Sequence, residues 1–334
     1  MIIAIHYTKG FSQRWIDYCQ KHNIPYKLVN CYSNSIIKDL KDCDALMWHF
    51  SQDNYRDMLF ARQLLFSLQA AGKKVFPDFN TAWHFDDKIG QKYLLEAIGA
   101  PLVPTHVFYD KNQALEWVQK TSFPKVFKLR GGAGSANVKL VSSRKQAIKL
   151  IKKAFHQGFS QFDRIGYLKE RYRKFFQGKD NMLGVFKGLG RLFIPTEYSK
   201  MSHREKGYVY FQDYIPNNDS DTRVIVIRDK AFGLKRDVRK NDFRASGSGS
   251  IRYEKEGVDE RCIKIAFETN EKLKAGCLAY DFVFLKNEPL IVEISYGFAV
   301  KAYDPCPGFW DKSLNWHPGS FNPQEWMVDL LIKK

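Results

Sequence analysis

The chain is predicted to be an α/β (α+β) protein that opens with a small parallel-sheet subdomain, and three observations carry that expectation. Over residues 1–85 short apolar runs alternate with helical stretches, the order that builds a parallel sheet covered by helices. Near the middle, FPKVFKLRGGAGSANVKLV places a strand, a glycine-rich loop and a second strand in succession. From Tyr208 onward the pattern is mostly β.

In chain order, IIAIH, YKLVN, ALMWHF and KKVFP read as strands, with helices at 11–22 and 54–71 between them. These strands are brief, so the subdomain is small. Residues 86–99 (DDKIGQKYLLEAIG) have an acidic start, apolar residues at helical spacing and a terminal glycine, the marks of a capped helix. Pro101 and Pro104 then stop it and extend the chain. Residues 143–155 read as helix, and 156–207 form a basic segment with 11 Lys or Arg against five acidic residues. Beyond it, YVYFQDYI, TRVIVI and KAFGLKRDV read as strands, 258–275 as a helix, and LAYDFVFL and PLIVEIS again as strands. The tail 301–326, rich in Trp, Pro, Gly and Asn, reads as an ordered loop ending in a short helix. The expected divisions are 1–85, 86–207 with 156–207 as a basic insertion, and 208–334.

At 334 residues the chain can bury a sizeable core without staples. It has no long apolar run and no signal-peptide pattern at MIIAIHYTKG, so a soluble cytoplasmic protein without a membrane span is expected. Six cysteines without a CxxC pair argue against a zinc ribbon and against a secreted disulfide framework. The formal charge of +17 implies an anionic partner, whether nucleotide, nucleic acid, phospholipid surface or acidic polymer. No nucleic-acid module is recognisable, which sets that partner aside.

The loop Gly131, Gly132, Ala133, Gly134, Ser135 lies between two strands, whereas a P-loop or dinucleotide fingerprint needs a strand followed by a helix N-terminus. A glycine-rich hairpin can instead fold its backbone amides over phosphates. Lys128 on the incoming strand and Lys88 on the preceding helix can set cations against the same phosphates. Asp281 and Glu293 are each six residues from Asn287. A hairpin with an odd-length loop centred there would face them across the strands, with Cβ atoms about 5 Å apart. Carboxylates so placed among apolar neighbours need a shared proton, a cation between them, or neutralising Lys or Arg. Such hard oxygens suit magnesium carried in with nucleotide phosphates, and Ser295, two residues on, points to the same face. Between loop and hairpin lie Gln212, Asp213, Tyr214 and Ile215, then Asp221 and Arg223, then Lys235, Arg236, Asp242 and Arg244. Basic strands facing two metal-binding acids are what phosphoryl chemistry needs, and surface solvation is the plain alternative for each.

Taken in order, these elements resemble the ATP-grasp superfamily over residues 86–297, nearest to ribosomal-protein glutamate ligases and bacterial glutathione synthetases. The resemblance implies an ATP-grasp fold that binds ATP and Mg2+. It implies Lys88 toward the phosphates, Lys128 near the adenine and α-phosphate, and Gly131, Gly132, Gly134 and Ser135 in a lid. FQDYIP resembles the hinge whose backbone reads the adenine edge, which places Gln212, Asp213, Tyr214 and Ile215 there. Asp221 would sit near the ribose, Arg223 and Arg236 would serve catalysis, and Arg244 would lie near the γ-phosphate. Asp281, Glu293 and Ser295 would hold metal, Ser295 standing where the family carries Asn. The tail YDPCPGFWDKSLNWHPGSFNPQEW resembles those of ATP-grasp proteins associated with bacterial surface-polysaccharide synthesis.

What this implies is a carboxylate-amine ligase, in which ATP phosphorylates a carboxylate and an amine attacks the acyl phosphate. The absence of any Ser-His-Asp or Cys-His pattern agrees with a reaction that needs no side-chain nucleophile. The charge suits an acidic sugar, glycan or peptide as substrate, and Trp310 and Trp316 would either stack on sugar faces or pack the tail into the core. His49 and His203 would contact the acceptor or serve the structure. A phosphotransferase acting on a hydroxyl, and a nucleotide-binding protein without turnover, stay open, as does a homodimer.

Overall fold

A computed structural model of the protein describes residues 1–132, 137–161, 168, 171–172, 175, 181–193, 203–239, 243–245 and 250–333. Its contacts divide the chain into two compact units. One comprises Met1–Phe85, Gly90–Leu102 and Ile215–Lys334, the other Asp86–Ile89 and Val103–Tyr214.

The first stretch of the chain forms β1 (Ile3–His6), α1 (Ser12–Lys21), β2 (Tyr26–Val29), α2 (Ile36–Asp39), β3 (Ala45–Trp48), α3 (Tyr55–Ala70), β4 (Lys74–Phe76), α4 (Phe79–Ala82) and α5 (Lys88–Ala97). The strands pair in parallel in the order β2-β1-β3-β4, the sheet expected over residues 1–85. All four residues of β1 and of β3 are buried, which is why both read as unbroken apolar runs. Asn54 caps α3 by accepting the Arg56 N–H, and Gly99, at φ +65°, lies just beyond the end of α5. β1 and β3 end at His6 and Trp48 on the carboxyl edge of the sheet, where open α/β sheets take their ligands.

The second unit contains β5 (Thr105–Phe108), α6 (Lys111–Lys120), β6 (Lys125–Lys128), β7 (Lys139–Val141), α7 (Arg144–His156), α8 (Met182–Phe193) and β8 (Val209–Asp213). Its antiparallel sheet runs β5-β8-β6-β7. Phe127 pairs with Phe211, and both join Val209 in a core with Ala114 and Val118 of α6 and Ala147 and Ile151 of α7. Alternation along the strands therefore puts Val126, Lys128, Tyr210 and Gln212 on the opposite face.

The first unit resumes with β9 (Ser220–Ile227), β10 (Lys230–Asp237), β11 (Ile251–Arg252), α9 (Glu260–Leu273), β12 (Cys277–Leu285), β13 (Glu288–Ser295), α10 (Val300–Tyr303), β14 (Gly308–Asp311), β15 (Trp316–Pro318) and α11 (Pro323–Ile332). These strands form a sheet in the order β13-β12-β9-β10-β14-β15, with β11 also on β10. Val224 and Val226 pack toward Ile263 and Ala266 of α9. Ile225 and Ile227 pack on the other face in a cluster that includes Ile3, Ile5, Trp15 and Met327.

The tail departs from the expected loop. It folds as a short helix, the β14-β15 hairpin and α11, because β14 extends the sheet by pairing Ala231 with Trp310. That pairing turns Trp310 into the core, 1% exposed and edge-to-face on Trp316 at 4.5 Å. The sugar-stacking expectation for Trp310 is thereby corrected: its indole is consumed by packing. All six cysteines are free and buried thiols.

Candidate active site

In the second unit the two lysines singled out from the sequence are buried against backbone and amide oxygens. Lys128 Nζ donates to Gln212 Oε1 at 2.7 Å, and Gln212 Nε2 donates to Thr105 Oγ1 at 3.2 Å. Lys88 Nζ donates to the Gly132 carbonyl at 2.8 Å, while its backbone N–H donates to the Arg130 carbonyl at 2.9 Å. Gly132 has φ +108°, a conformation that favours glycine, and its N–H donates to Asp86 Oδ1 at 2.7 Å. Lys88 is thus held at the root of the glycine loop, and Lys128 sits with Gln212 on the sheet face turned away from α6 and α7.

Gly134 and Ser135 lie outside the described residues, but both shoulders of their loop are tied down. On one side the Arg130 N–H donates to the Tyr208 hydroxyl at 2.7 Å, and that hydroxyl donates to Glu205 at 2.9 Å. On the other, Asn137 Nδ2 donates to the Gln161 carbonyl at 2.6 Å, and Gln161 Nε2 donates to Glu205 at 2.7 Å. Burial pushes the Tyr208 phenol far above its ordinary range, with the Glu205 carboxylate adding to the effect. Asp213 behaves differently from Gln212. Its side chain belongs to the helix-covered face, where Lys125 Nζ donates to it at 2.6 Å and His106 Nε2 lies at 3.3 Å. Tyr214 and Ile215 are half-buried where the second unit ends and the first resumes.

In the first unit a charged row crosses the sheet. Arg236 on β10 sits opposite Asp221 on β9, Arg223 on β9 opposite Asp281 on β12, and Asp281 opposite Glu293 on β13. Arg236 forks onto both Asp221 oxygens at 2.7 and 2.6 Å and reaches Asp281 at 3.0 Å. Arg223 contacts Asp281 at 3.2 Å and donates to the Gly297 carbonyl at 3.3 Å. Burial works against the charge of both arginines, yet the carboxylates more than offset it, so both guanidiniums stay firmly cationic. Burial likewise raises Asp221, while Arg236 pulls it back. The resemblance implies Asp221 near a ribose; in the structure both of its oxygens accept from Arg236, and both Asp281 oxygens likewise lie within reach of Arg223 or Arg236.

The hairpin differs in detail from the expected odd-length loop. Leu285 pairs with Glu288, leaving Lys286 and Asn287 as a two-residue turn with φ +50° and +68°. Such a turn alone would set Val292 opposite Asp281 and Glu293 opposite Tyr280, on the wrong face. A β-bulge between Asp281 and Phe282 absorbs one residue and returns Glu293 to Asp281. The pairing survives and its cause changes. Ser295 is opposite Ala279 on the same face, but its hydroxyl donates to the Gly297 carbonyl and accepts the Gly297 N–H, both at 3.2 Å.

Asp281 and Glu293 offer hard oxygens at one cross-strand position, which fits a magnesium ion that brings phosphate oxygens with it. Among the described residues no group of three His, Cys, Asp or Glu side chains gathers, so the protein would supply only part of the coordination shell. Arg244 is half-buried just beyond β10, its carbonyl accepting the Arg239 N–H at 3.1 Å. Asp242 lies outside the described residues.

The Alpha-aminoadipate--LysW ligase LysX of Saccharolobus solfataricus is 21% identical to this chain over 278 residues, 80% of this chain and 82% of the relative. No family model matches. Among solved structures, the ATP-grasp ligase PsnB complexed with minimal precursor superposes with a TM-score of 0.56 at 12% identity, covering 99% of this chain and 98% of that one. The chain has the ATP-grasp fold. A biotin carboxylase domain of the Hydrogenobacter thermophilus 2-oxoglutarate carboxylase, in complex with MgADP, ADP and bicarbonate, superposes with a TM-score of 0.58 at 13% identity. It covers all of this chain and 70% of that one. At these identities the structures establish the ATP-grasp fold alone.

Sequence reasoning did not find several residues that shape this ATP-grasp chain. Asp86 reads as a helix cap, yet at φ +54° it anchors Gly132. Glu205 and Tyr208 sit 70 residues beyond the loop they tether, with no local signal. His49, by contrast, drew notice. It stacks on Phe11 at 3.8 Å and takes the Phe11 N–H at 3.4 Å, and a Cβ at Gly297 would stand 3.9 Å from its Nε2. It therefore borders the arginine-carboxylate row, and burial holds its pKa down to about 4. His203 is exposed at the end of the basic segment.

Proposed function

We propose that the protein is an ATP- and magnesium-dependent ligase joining a carboxylate to an amine. The observation that carries this reading is the Asp281-Glu293 pair beside Arg223 and Arg236, a charge arrangement suited to phosphoryl transfer onto an acid. The relative from S. solfataricus is named a ligase and the H. thermophilus domain is in complex with MgADP, which supports the nucleotide and the metal. In the first step a carboxylate oxygen attacks the γ-phosphorus and ADP leaves with the electrons of the broken P–O bond. The amine nitrogen then attacks the carbonyl carbon of the acyl phosphate, phosphate leaves, and the nitrogen gives up its proton. Arg223 and Arg236 hold countercharge at fixed positions while charge moves, and Asp221 keeps Arg236 aimed. Magnesium, when bound, neutralises phosphate oxygens and orients the leaving group. Lys88, Lys128, Gln212 and the backbone of residues 213–215 serve the nucleotide, with Gly131, Gly132, Gly134 and Ser135 as its lid and Arg244 at the phosphates.

The acid is proposed to be a sugar, glycan or peptide of surface-polysaccharide synthesis, on the strength of the +17 charge and the resemblance of the tail. Incubation with ATP, Mg2+, hydroxylamine and a panel of uronic acids and acidic peptides should yield a hydroxamate and ADP with one class of acid, and neither with Glu293→Gln. A stable phosphorylated sugar without hydroxamate would replace this reading with hydroxyl phosphorylation. ATP binding with no hydrolysis across the panel would replace it with nucleotide binding alone. The involvement of the Ser295 hydroxyl in a turn with Gly297 is the observation that favours this second reading.

A further inference from the structure

Helix α8 carries an apolar face that stands in solvent: Met182 is 55%, Leu183 62%, Phe186 62% and Leu189 37% exposed. Their spacing puts them on one side of the helix. Soluble proteins rarely leave four large apolar side chains together at the surface without a partner for them. Helix α7 of the same unit has no acidic residue and exposes Lys145, Lys149, Lys152 and Lys153 at helical spacing along one stripe. The two features share a root. The Gly207 N–H donates to the Ala154 carbonyl at 3.1 Å, and Phe159 and Glu205 exchange backbone hydrogen bonds at 2.8 Å. The segment bearing α8 thus leaves and rejoins the last turn of α7, and over residues 156–207 it carries 11 basic against five acidic residues.

We propose that this unit docks on an anionic lipid surface, with α8 laying its apolar face into the interface and the α7 lysines meeting headgroup phosphates. Nucleic acid would account for the lysines and leave the apolar face unexplained, whereas an anionic lipid surface accounts for both. Among the described residues no helix is long and apolar enough to cross a membrane, so α8 would lie on the surface. This inference is independent of the reaction catalysed.

The full chain should sediment with vesicles of phosphatidylcholine and about one-third phosphatidylglycerol, bind phosphatidylcholine alone at least about tenfold more weakly, and lose affinity as salt rises. Leu183→Asp with Phe186→Asp should abolish sedimentation. Lys145→Glu with Lys149→Glu and Lys152→Glu should reduce partitioning by at least about a hundredfold, since each lysine near the surface is worth about fivefold and each glutamate adds repulsion. The melting temperature of each variant checks its folding, and Leu183→Ser with Phe186→Ser replaces the aspartates if they prevent folding. Equal recovery with and without anionic vesicles would overturn the proposal, as would an aspartate variant that binds like the parent. So would a parent chain that does not bind vesicles but is dimeric, with its dimer lost in that variant, which would assign α8 to a second copy. Full displacement from vesicles by random duplex DNA, unaltered by the aspartates, would assign the lysines to nucleic acid.

Discussion

Two guanidiniums set between Asp221 and Asp281 give the first unit a half-buried row of paired charge, with Glu293 opposite Asp281 at its end. Removal of one partner from such a cluster typically costs about 3–5 kcal/mol, because the remaining charge is left in low dielectric. Arg223 and Arg236 are thus held by hydrogen bonds and ion pairs within the protein, the preorganisation that the proposed phosphoryl chemistry asks for. His49 at its border shows the opposite strategy, a titratable ring kept neutral. With its folded pKa depressed to about 4 by burial, it refuses a proton that the unfolded chain accepts below its ordinary value of 6.5. Its contribution is absent above that ordinary value and becomes destabilising as pH falls through the window, reaching about 3 kcal/mol near pH 4. Urea unfolding of the parent and of His49→Gln should accordingly converge or cross as pH drops from about 7 to about 4.5, the parent losing about 2.5 kcal/mol more. Parallel pH profiles for the two would show that His49 is not held neutral. A lone histidine in ALMWHF does not reveal this, since the Phe11 ring that covers it comes from another segment.

At the scale of elements, the β12-β13 hairpin shows how a pattern can be right for a different reason. Equal spacing of Asp281 and Glu293 about Asn287 suggests an odd loop, whereas the chain uses a two-residue turn and spends the extra residue in a bulge. Both turn residues have positive φ, the signature of a type I′ turn, for which lysine is a poor choice and Asn-Gly the favoured pair. Lys286→Asn with Asn287→Gly should therefore raise stability by about 1 kcal/mol, read as a higher melting temperature, with ATP affinity unchanged. A lower melting temperature would mean that Lys286 or Asn287 does more than turn the chain. The glycine loop shows a second division of labour. Gly132 is required by its backbone conformation, and its N–H is taken by Asp86, while the shoulders of the loop are held by Tyr208, Gln161 and Glu205, all far along the chain.

At the scale of the whole molecule, a net charge of +17 favours a polyanion, and ATP with magnesium is the one proposed. Ligand that binds only the folded chain should add about 2.7 kcal/mol at a hundredfold excess over Kd, so ATP with Mg2+ should raise the melting temperature and EDTA should remove most of that rise. An ATP-induced shift indifferent to EDTA would count against metal at Asp281 and Glu293. By itself the sequence determined the alternating α/β order of residues 1–85, the strand-loop-strand around Gly131 and Gly132, and the two strands that carry Asp281 and Glu293, whose pairing only the bulge completes. These are local: periodicity, glycine content and spacing record them directly. Tertiary structure alone decided that Met1–Phe85 and Ile215–Lys334 form one unit, because their contacts join residues more than a hundred positions apart. It also decided that Trp310 is core, that Asp213 turns to Lys125, and that Asp221 serves Arg236. In each case the side chain's role depends on which strand lies beside it and which face is covered, and neither is written in its own neighbourhood.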